Sequence, residues 1–261
     1  MTVRYFSHEA ADMSLLLRLF ADGGADPTPA HKALARSWQL RFICLLWLSV
    51  VALLPFSIHA LIPPTSKPGE LHTTETAHQV VNDPVADVAL RFACNPGKDR
   101  DGAALLLARY LSRPDSPLES FLVYCRQELA RTKSTQGTTN GAATVSNAYL
   151  VRSLLDALCA VLRLAPLSRI GALCDALYEL LGVEALTTAR YAATRTKLAG
   201  RVALVLLDWQ DQQDRGRQAA TSHSYMDQVE VILQDMLDAL EDNVSAGRPY
   251  HCFDAERDVS G

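Results

Sequence analysis

The sequence predicts an all-α fold, specifically an α-solenoid of antiparallel helix pairs of the HEAT or armadillo kind. Three observations lead there. No segment shows the period-2 alternation of a strand. Apolar residues recur instead at helical spacing between Pro, Gly and Ser/Thr stops. The resulting nine or so helices pair into hairpins roughly 40 to 50 residues long, the length of a HEAT or armadillo unit. That number of helices favours a solenoid over a four-helix bundle. Several helices are apolar over more than half their circumference, as expected where each hairpin packs between two neighbours.

The first helix is expected over 7–20, where Ser7 serves as N-cap and Glu9 complements the N-terminal dipole, and Gly23 and Gly24 end it. Thr28 followed by Pro29 opens a long second helix toward Leu54. The stretch 62–76, rich in Pro, Thr and Ser, reads as a surface loop. Shorter helices follow over 77–94, closed by Asn95, Pro96 and Gly97; over 101–112, closed before Pro114; and over 117–130, after the cap Ser116. A flexible loop near 131–144 leads to a helix over 145–165, with Leu150, Leu154, Leu158, Val161 and Leu162 on one face and Arg152, Asp156 and Arg163 on another. Pro166 breaks it, 167–181 forms the return helix, and Gly182 ends that helix. A helix over 184–209 and a polar loop near 210–224 precede the last one, 226–240, whose stripe is Val229, Ile232, Leu233, Met236, Leu237 and Leu240. The solenoid segment is thus expected over 1–242 and a disordered tail over 243–261.

The run 42–62 raises a separate question, because 21 residues pass without Asp, Glu, Lys or Arg. About 20 such residues can cross a bilayer, so a single-pass, membrane-anchored helical protein is one alternative. Pro55 argues against it: proline removes a backbone hydrogen bond and restricts Leu54, so the helix should stop near that point. The remaining 42–54 then reads as a core helix buried on all sides. Trp47 lies within it, and Trp47→Ala would cost about 3–5 kcal/mol if that burial is complete.

Composition narrows the function classes. The chain has 261 residues and 49% hydrophobic content, ample for a core. With 25 basic and 29 acidic residues it carries a net charge of −4, which offers no electrostatic footprint for nucleic acid or an anionic membrane surface. Cys44, Cys94, Cys125, Cys159, Cys174 and Cys252 form no CxxC pair and fit buried free thiols of a reduced, cytosolic protein. The opening MTVRYFSHEAAD has no apolar core of a signal peptide.

Catalytic signals are sparse. GKDRDG, 97–102, lacks the spacing of a phosphate loop and the third acidic ligand of a calcium loop, and reads as a turn. No histidines stand in HxxxH or HExxH spacing, and His251 beside Cys252 is an adjacent pair that rarely faces one ion. Asp208, Asp211 and Asp214 read as a solvated helix end or loop, and Asn243–Val244–Ser245 is a glycosylation sequon with no role in the cytosol. No catalytic residue, cofactor or metal is expected. Arg190, Lys197 and Arg201, at i, i+7 and i+11, place three cations on one helix face; a solvated face is the simpler account, a protein-contact strip for an acidic partner the sharper one.

Four strings in order carry a family resemblance. RYFSHEAADMSLLLRLF with LRF-x-x-LLWLS-x-x-x-LLPF (40–56), then KDRDGAALLLARYLSRPD (98–115), LLGVEAL (180–186) and VEVILQDMLDALED resemble the tubulin-folding cofactor D family, HEAT-repeat chaperones of β-tubulin. The resemblance implies a soluble protein of the cytoplasm and microtubule cytoskeleton, in which 42–54 is a core helix. It implies capture of β-tubulin after the cytosolic chaperonin and joining with cofactor E, which carries α-tubulin. With cofactor C, the assembly would promote GTP hydrolysis by tubulin, and a small Arf-like GTPase is a further expected partner. Tubulin would be the GTPase, and this chain a non-catalytic binding surface without nucleic-acid or membrane partners. Family chains are several times longer, which implies a truncated segment here. A different α-solenoid adaptor, such as one for nuclear transport, is the remaining alternative.

Overall fold

The computed structural model describes residues 9–21, 28–58, 83–134, 141–188, 190–216 and 224–245. Among these residues the regular structure is helical throughout. The chain divides into two compact units between Pro166 and Leu167, at the proline expected to break a helix.

The first unit contains α1 (Ala10–Phe20), α2 (Pro29–Arg36), α3 (Trp38–Val51), α4 (Pro84–Ala93), α5 (Asp99–Leu111), α6 (Leu118–Ser134) and α7 (Gly141–Leu164). Its centre is α5, which packs on α3, α4 and α7. Ala103, Leu106, Leu107, Ala108, Tyr110 and Leu111 are all buried, so α5 is apolar around most of its circumference. The sequence assigned that position to 42–54. In fact α3 buries Cys44, Leu45, Leu48 and Val51, while Trp38 and Ile43 are exposed and Trp47 is only partly buried. Helix α3 also meets α1 and α2, but less extensively than it meets α5, so part of its apolar surface stays uncovered, whereas α5, with Gly102 and three alanines, packs closely between its neighbours. Gly102 marks the closest approach: a Cβ there would stand 3.1 Å from Phe42 Cδ2 and 3.2 Å from Leu45 Cβ.

Helix ends follow local capping chemistry. Glu9 and Asp12 form a reciprocal capping box at α1, while Ser7 lies outside the described residues. The Thr28 hydroxyl accepts from the His31 N–H before Pro29, as expected. The expected single helix toward Leu54 is instead two, α2 and α3, bent by 104° at Ser37. Ser37 leaves helical geometry (φ −115°, ψ 110°) and accepts from the Leu40 N–H at 3.2 Å, so it ends one helix and caps the next. Among the described residues no single helix is long and apolar enough to cross a membrane; the bent pair α2–α3 passes only when its parts are joined. The proposed span at 42–62 is interrupted, because α3 stops at Val51 after 14 residues.

The second unit contains α8 (Leu167–Ile170), a 3₁₀ turn (Gly171–Leu173), α9 (Cys174–Leu181), a 3₁₀ turn (Glu184–Thr187), α10 (Ala192–Gly216) and α11 (Met226–Ser245). The helix expected over 167–181 is broken at Gly171, where a Cβ would stand 2.1 Å from Trp209 Cδ2: the indole occupies the space a side chain would need. The helix expected from Glu184 begins only at Ala192, since Thr188 is extended (φ −68°, ψ 146°) and its hydroxyl donates to the Ala185 carbonyl. Helix α10 runs antiparallel to α11: the Tyr225 N–H donates to Gln210 Oε1 near one end, and Arg195 pairs with Asp235 at 3.0 Å near the other.

Several helices extend into stretches read as loops. Residues 131–134 belong to α6, 141–144 to α7, 210–216 to α10 and 243–245 to α11. Gln210–Asp214 and Arg215–Asp211 contacts at i,i+4 support the end of α10, a contribution that loop-like composition concealed. The loop 62–76, residues 135–140 and 217–223, and the tail from 246 lie outside the described residues.

Candidate functional site

Two of the sequence strings meet in space, since 40–56 supplies α3 with its exit and 98–115 supplies α5 with its exit. Their contact is polar at both ends, with a mainly apolar stretch between that holds one further polar pair. At one end Arg41 Nε donates to Asp99 Oδ2 at 2.9 Å, and Asn95 Nδ2 donates to the same oxygen at 3.0 Å. Arg41 Nη1 also donates to the Leu34 and Ala35 carbonyls, completing the C-terminus of α2 beyond the bend. The guanidinium lies 5.9 Å from the centroid of the Phe92 ring. Asp99, the central carboxylate of GKDRDG, is therefore a buried structural anion with two donors. In the middle of the contact, Arg109 Nη1 donates to Ser49 Oγ at 3.0 Å.

At the other end Arg113 gathers the chain that leaves α3. Its Nη1 donates to the Ala52 carbonyl at 2.8 Å and to the Leu54 carbonyl, and its Nη2 donates to the Phe56 carbonyl at 2.6 Å. Asp115 holds the same guanidinium through Arg113 Nε at 2.8 Å and Nη2 at 3.0 Å, and accepts from the Ile58 N–H at 3.2 Å. Pro55 interrupts the helix, and the Arg113–Asp115 clamp replaces the hydrogen bonds that the helix would have made. The guanidinium lowers the Asp115 pKa below its ordinary value, chiefly through that side-chain hydrogen bond.

The clamp forms the floor of an open cleft of about 770 Å³. Leu53, Phe56 and Leu164 line it and are exposed, and Arg109 lines it beside the paired Arg113 and Asp115. A second opening, about 530 Å³, lies between Phe20, His31, Leu34, Arg41, Arg91 and Phe92. Here Arg91 Nη1 donates to the Phe20 carbonyl at 2.9 Å. The first cleft combines apolar reach with a rigid polar base, an arrangement suited to holding a protein segment.

Elsewhere buried polar groups are structural. Asp83 caps α4 by accepting from the Val85 and Ala86 N–H groups at 3.0 Å each, and the Tyr110 hydroxyl donates to it. Burial, with the neighbouring Asp83 carboxylate, raises the Tyr110 pKa. Sequence reading overlooked Asp83, although Asp-Pro before an apolar run is an N-cap signal. Cys44, Cys94, Cys125, Cys159 and Cys174 are free thiols; burial raises the pKa of Cys44 and Cys125, and that of Cys174 to about 11, so these three remain protonated at neutral pH. Among the described residues no group of three or more His, Cys, Asp or Glu could hold a metal ion. His251 and Cys252 lie outside those residues.

The cations singled out by spacing are divided. Lys197 and Arg201 stand one turn apart on α10, with Lys197 exposed. Arg190 is exposed in the turn before Ala192, off the helix. Asp208, Asp211 and Asp214 are exposed along α10, where Asp211 pairs with Arg215.

Comparison with known families gives one match relevant to this geometry: the family described as "Tubulin-specific chaperone D-like, ARM repeat" matches residues 1–129. The matched stretch includes α1 to α5 and most of α6, and with them the α3–α5 contact and its Arg113–Asp115 clamp. No solved structure matches the chain.

Proposed function

Because residues 1–129 belong to the tubulin-specific chaperone D-like ARM-repeat family, an all-α solenoid class, we propose that this chain is a non-catalytic β-tubulin-binding chaperone segment. The family match carries the proposal. Support comes from the exposed apolar residues around the cleft, which suit recognition by shape and apolar contact.

In this reading the chain holds β-tubulin during assembly of the α/β heterodimer in the cytoplasm, at the microtubule cytoskeleton. Cofactor E, carrying α-tubulin, and cofactor C join it; GTP is hydrolysed by tubulin, and the chain acts as an activator by holding tubulin in a competent form. A small Arf-like GTPase is a proposed regulatory partner. Arg190, Lys197 and Arg201 are proposed as a secondary contact with an acidic protein surface.

Size-exclusion co-elution of the purified chain with tubulin, scored for β-tubulin in the shifted peak, tests the central claim. A shift is expected. A folded chain that leaves β-tubulin unshifted would overturn the binding role, and unchanged phosphate release on adding the chain to tubulin with cofactors C and E would overturn the activating role.

A further inference from the structure

The last helix presents an apolar row on its outside. Helix α11 packs on α10; Val229 and Ile232 are buried, and Met236 Cε would stand 3.7 Å from a Cβ at Gly200 of α10. The sequence stripe is wider than this contact. Leu233, Leu237 and Leu240 remain 49%, 54% and 44% exposed, and Met226, also exposed, extends the row. These four fall at i, i+7, i+11 and i+14, a single strip along the helix.

The charge along α11 has one sign. Asp227, Glu230, Asp235, Asp238, Glu241 and Asp242 are acidic, and the helix contains no Lys, Arg or His. Asp235 is paired with Arg195 of α10. Glu230 and Glu241 are exposed at positions beside the leucine row, with Asp227 and Asp238 farther round. A second copy of α11 laid on this strip would set carboxylates against carboxylates, so self-association is electrostatically disfavoured.

We propose that the Met226–Leu233–Leu237–Leu240 strip docks a cationic amphipathic helix of a partner protein: its apolar row covers the leucines, and its Lys or Arg flanks meet Glu230 and Glu241. The strip lies outside residues 1–129, so the proposal stands on its own observations and does not depend on the family match.

The test is fluorescence anisotropy of a labelled 18-residue helical peptide, with leucines at 3–4 spacing and flanking lysines, titrated with the full chain. An otherwise identical peptide with glutamate flanks is the control. Saturable binding is expected, weakened about tenfold or more by Leu233→Gln with Leu237→Gln and comparably by Glu230→Lys with Glu241→Lys. It should also weaken as salt rises. The leucines are half exposed, so circular dichroism and Tm should confirm that these variants remain folded. Absence of binding, equal binding of the glutamate peptide, or undiminished binding to the double-Gln variant would each overturn the proposal. So would a dimer in sedimentation that the double-Gln change dissociates, which would assign the strip to a second copy.

Discussion

Arg113 and Asp115 show how two side chains replace a missing turn of helix. The clamp supplies donors to three carbonyls of the chain that follows Val51. Arg113→Met is expected to cost about 2–4 kcal/mol, because two partly buried carbonyls lose a donor together and the Asp115 carboxylate keeps the Ile58 N–H but loses the guanidinium; urea unfolding measures it. The Asp115 carboxyl has a lowered pKa in the folded chain, so its stabilising effect is fully present above its unfolded value of about 3.9. That effect declines as pH falls through the lower folded value. The stability gap between the wild type and Asp115→Asn should therefore be constant near neutral pH and shrink below about pH 4. A gap that widened in acid would contradict this assignment. Gly171 is a second residue-scale case: Gly171→Ala places a methyl carbon on the Trp209 ring and should cost about 1–3 kcal/mol, with the indole fluorescence altered.

Among the elements, α5 takes the all-round burial that hydropathy suggested for 42–54. Leu48→Ala should cost about 2–5 kcal/mol as a buried core truncation, whereas Ile43→Ala, on the exposed side of the same helix, should fall within about 0.5 kcal/mol of wild type. Trp47 is only partly buried, so Trp47→Ala is now expected to cost less than the roughly 3–5 kcal/mol of a core aromatic. Thermal melts of the three variants decide the ordering. Ser37 defines the α2–α3 bend, and Ser37→Ala should cost about 1 kcal/mol through loss of the cap to Leu40.

At the scale of the whole molecule, two surfaces belong to different compact units. The cleft bordered by Leu53 and Phe56 belongs to the first, and the acidic α11 strip to the second. Leu53→Gln with Phe56→Gln should reduce β-tubulin co-elution, while Leu233→Gln with Leu237→Gln should leave it unchanged. Both pairs are exposed, so either variant should stay folded. The reverse pattern would move tubulin contact to α11.

Features that depend on near neighbours along the chain are legible in the sequence. Periodicity identified the helices, Thr28–Pro29 and Pro166 set boundaries correctly, and the 40–56 and 98–115 strings identified the family that residues 1–129 match. Which apolar surface is buried is set by packing, because burial depends on how closely and how extensively neighbours reach a helix. Gly102 admits α3 against α5, Trp209 takes the space beside Gly171, and Arg113 reaches back to carbonyls some 60 positions away. These contacts join residues remote in sequence, where local periodicity carries no information. The same reason left the α11 stripe ambiguous: six apolar positions look alike in sequence, and only tertiary packing separates the buried Val229 and Ile232 from the exposed leucines.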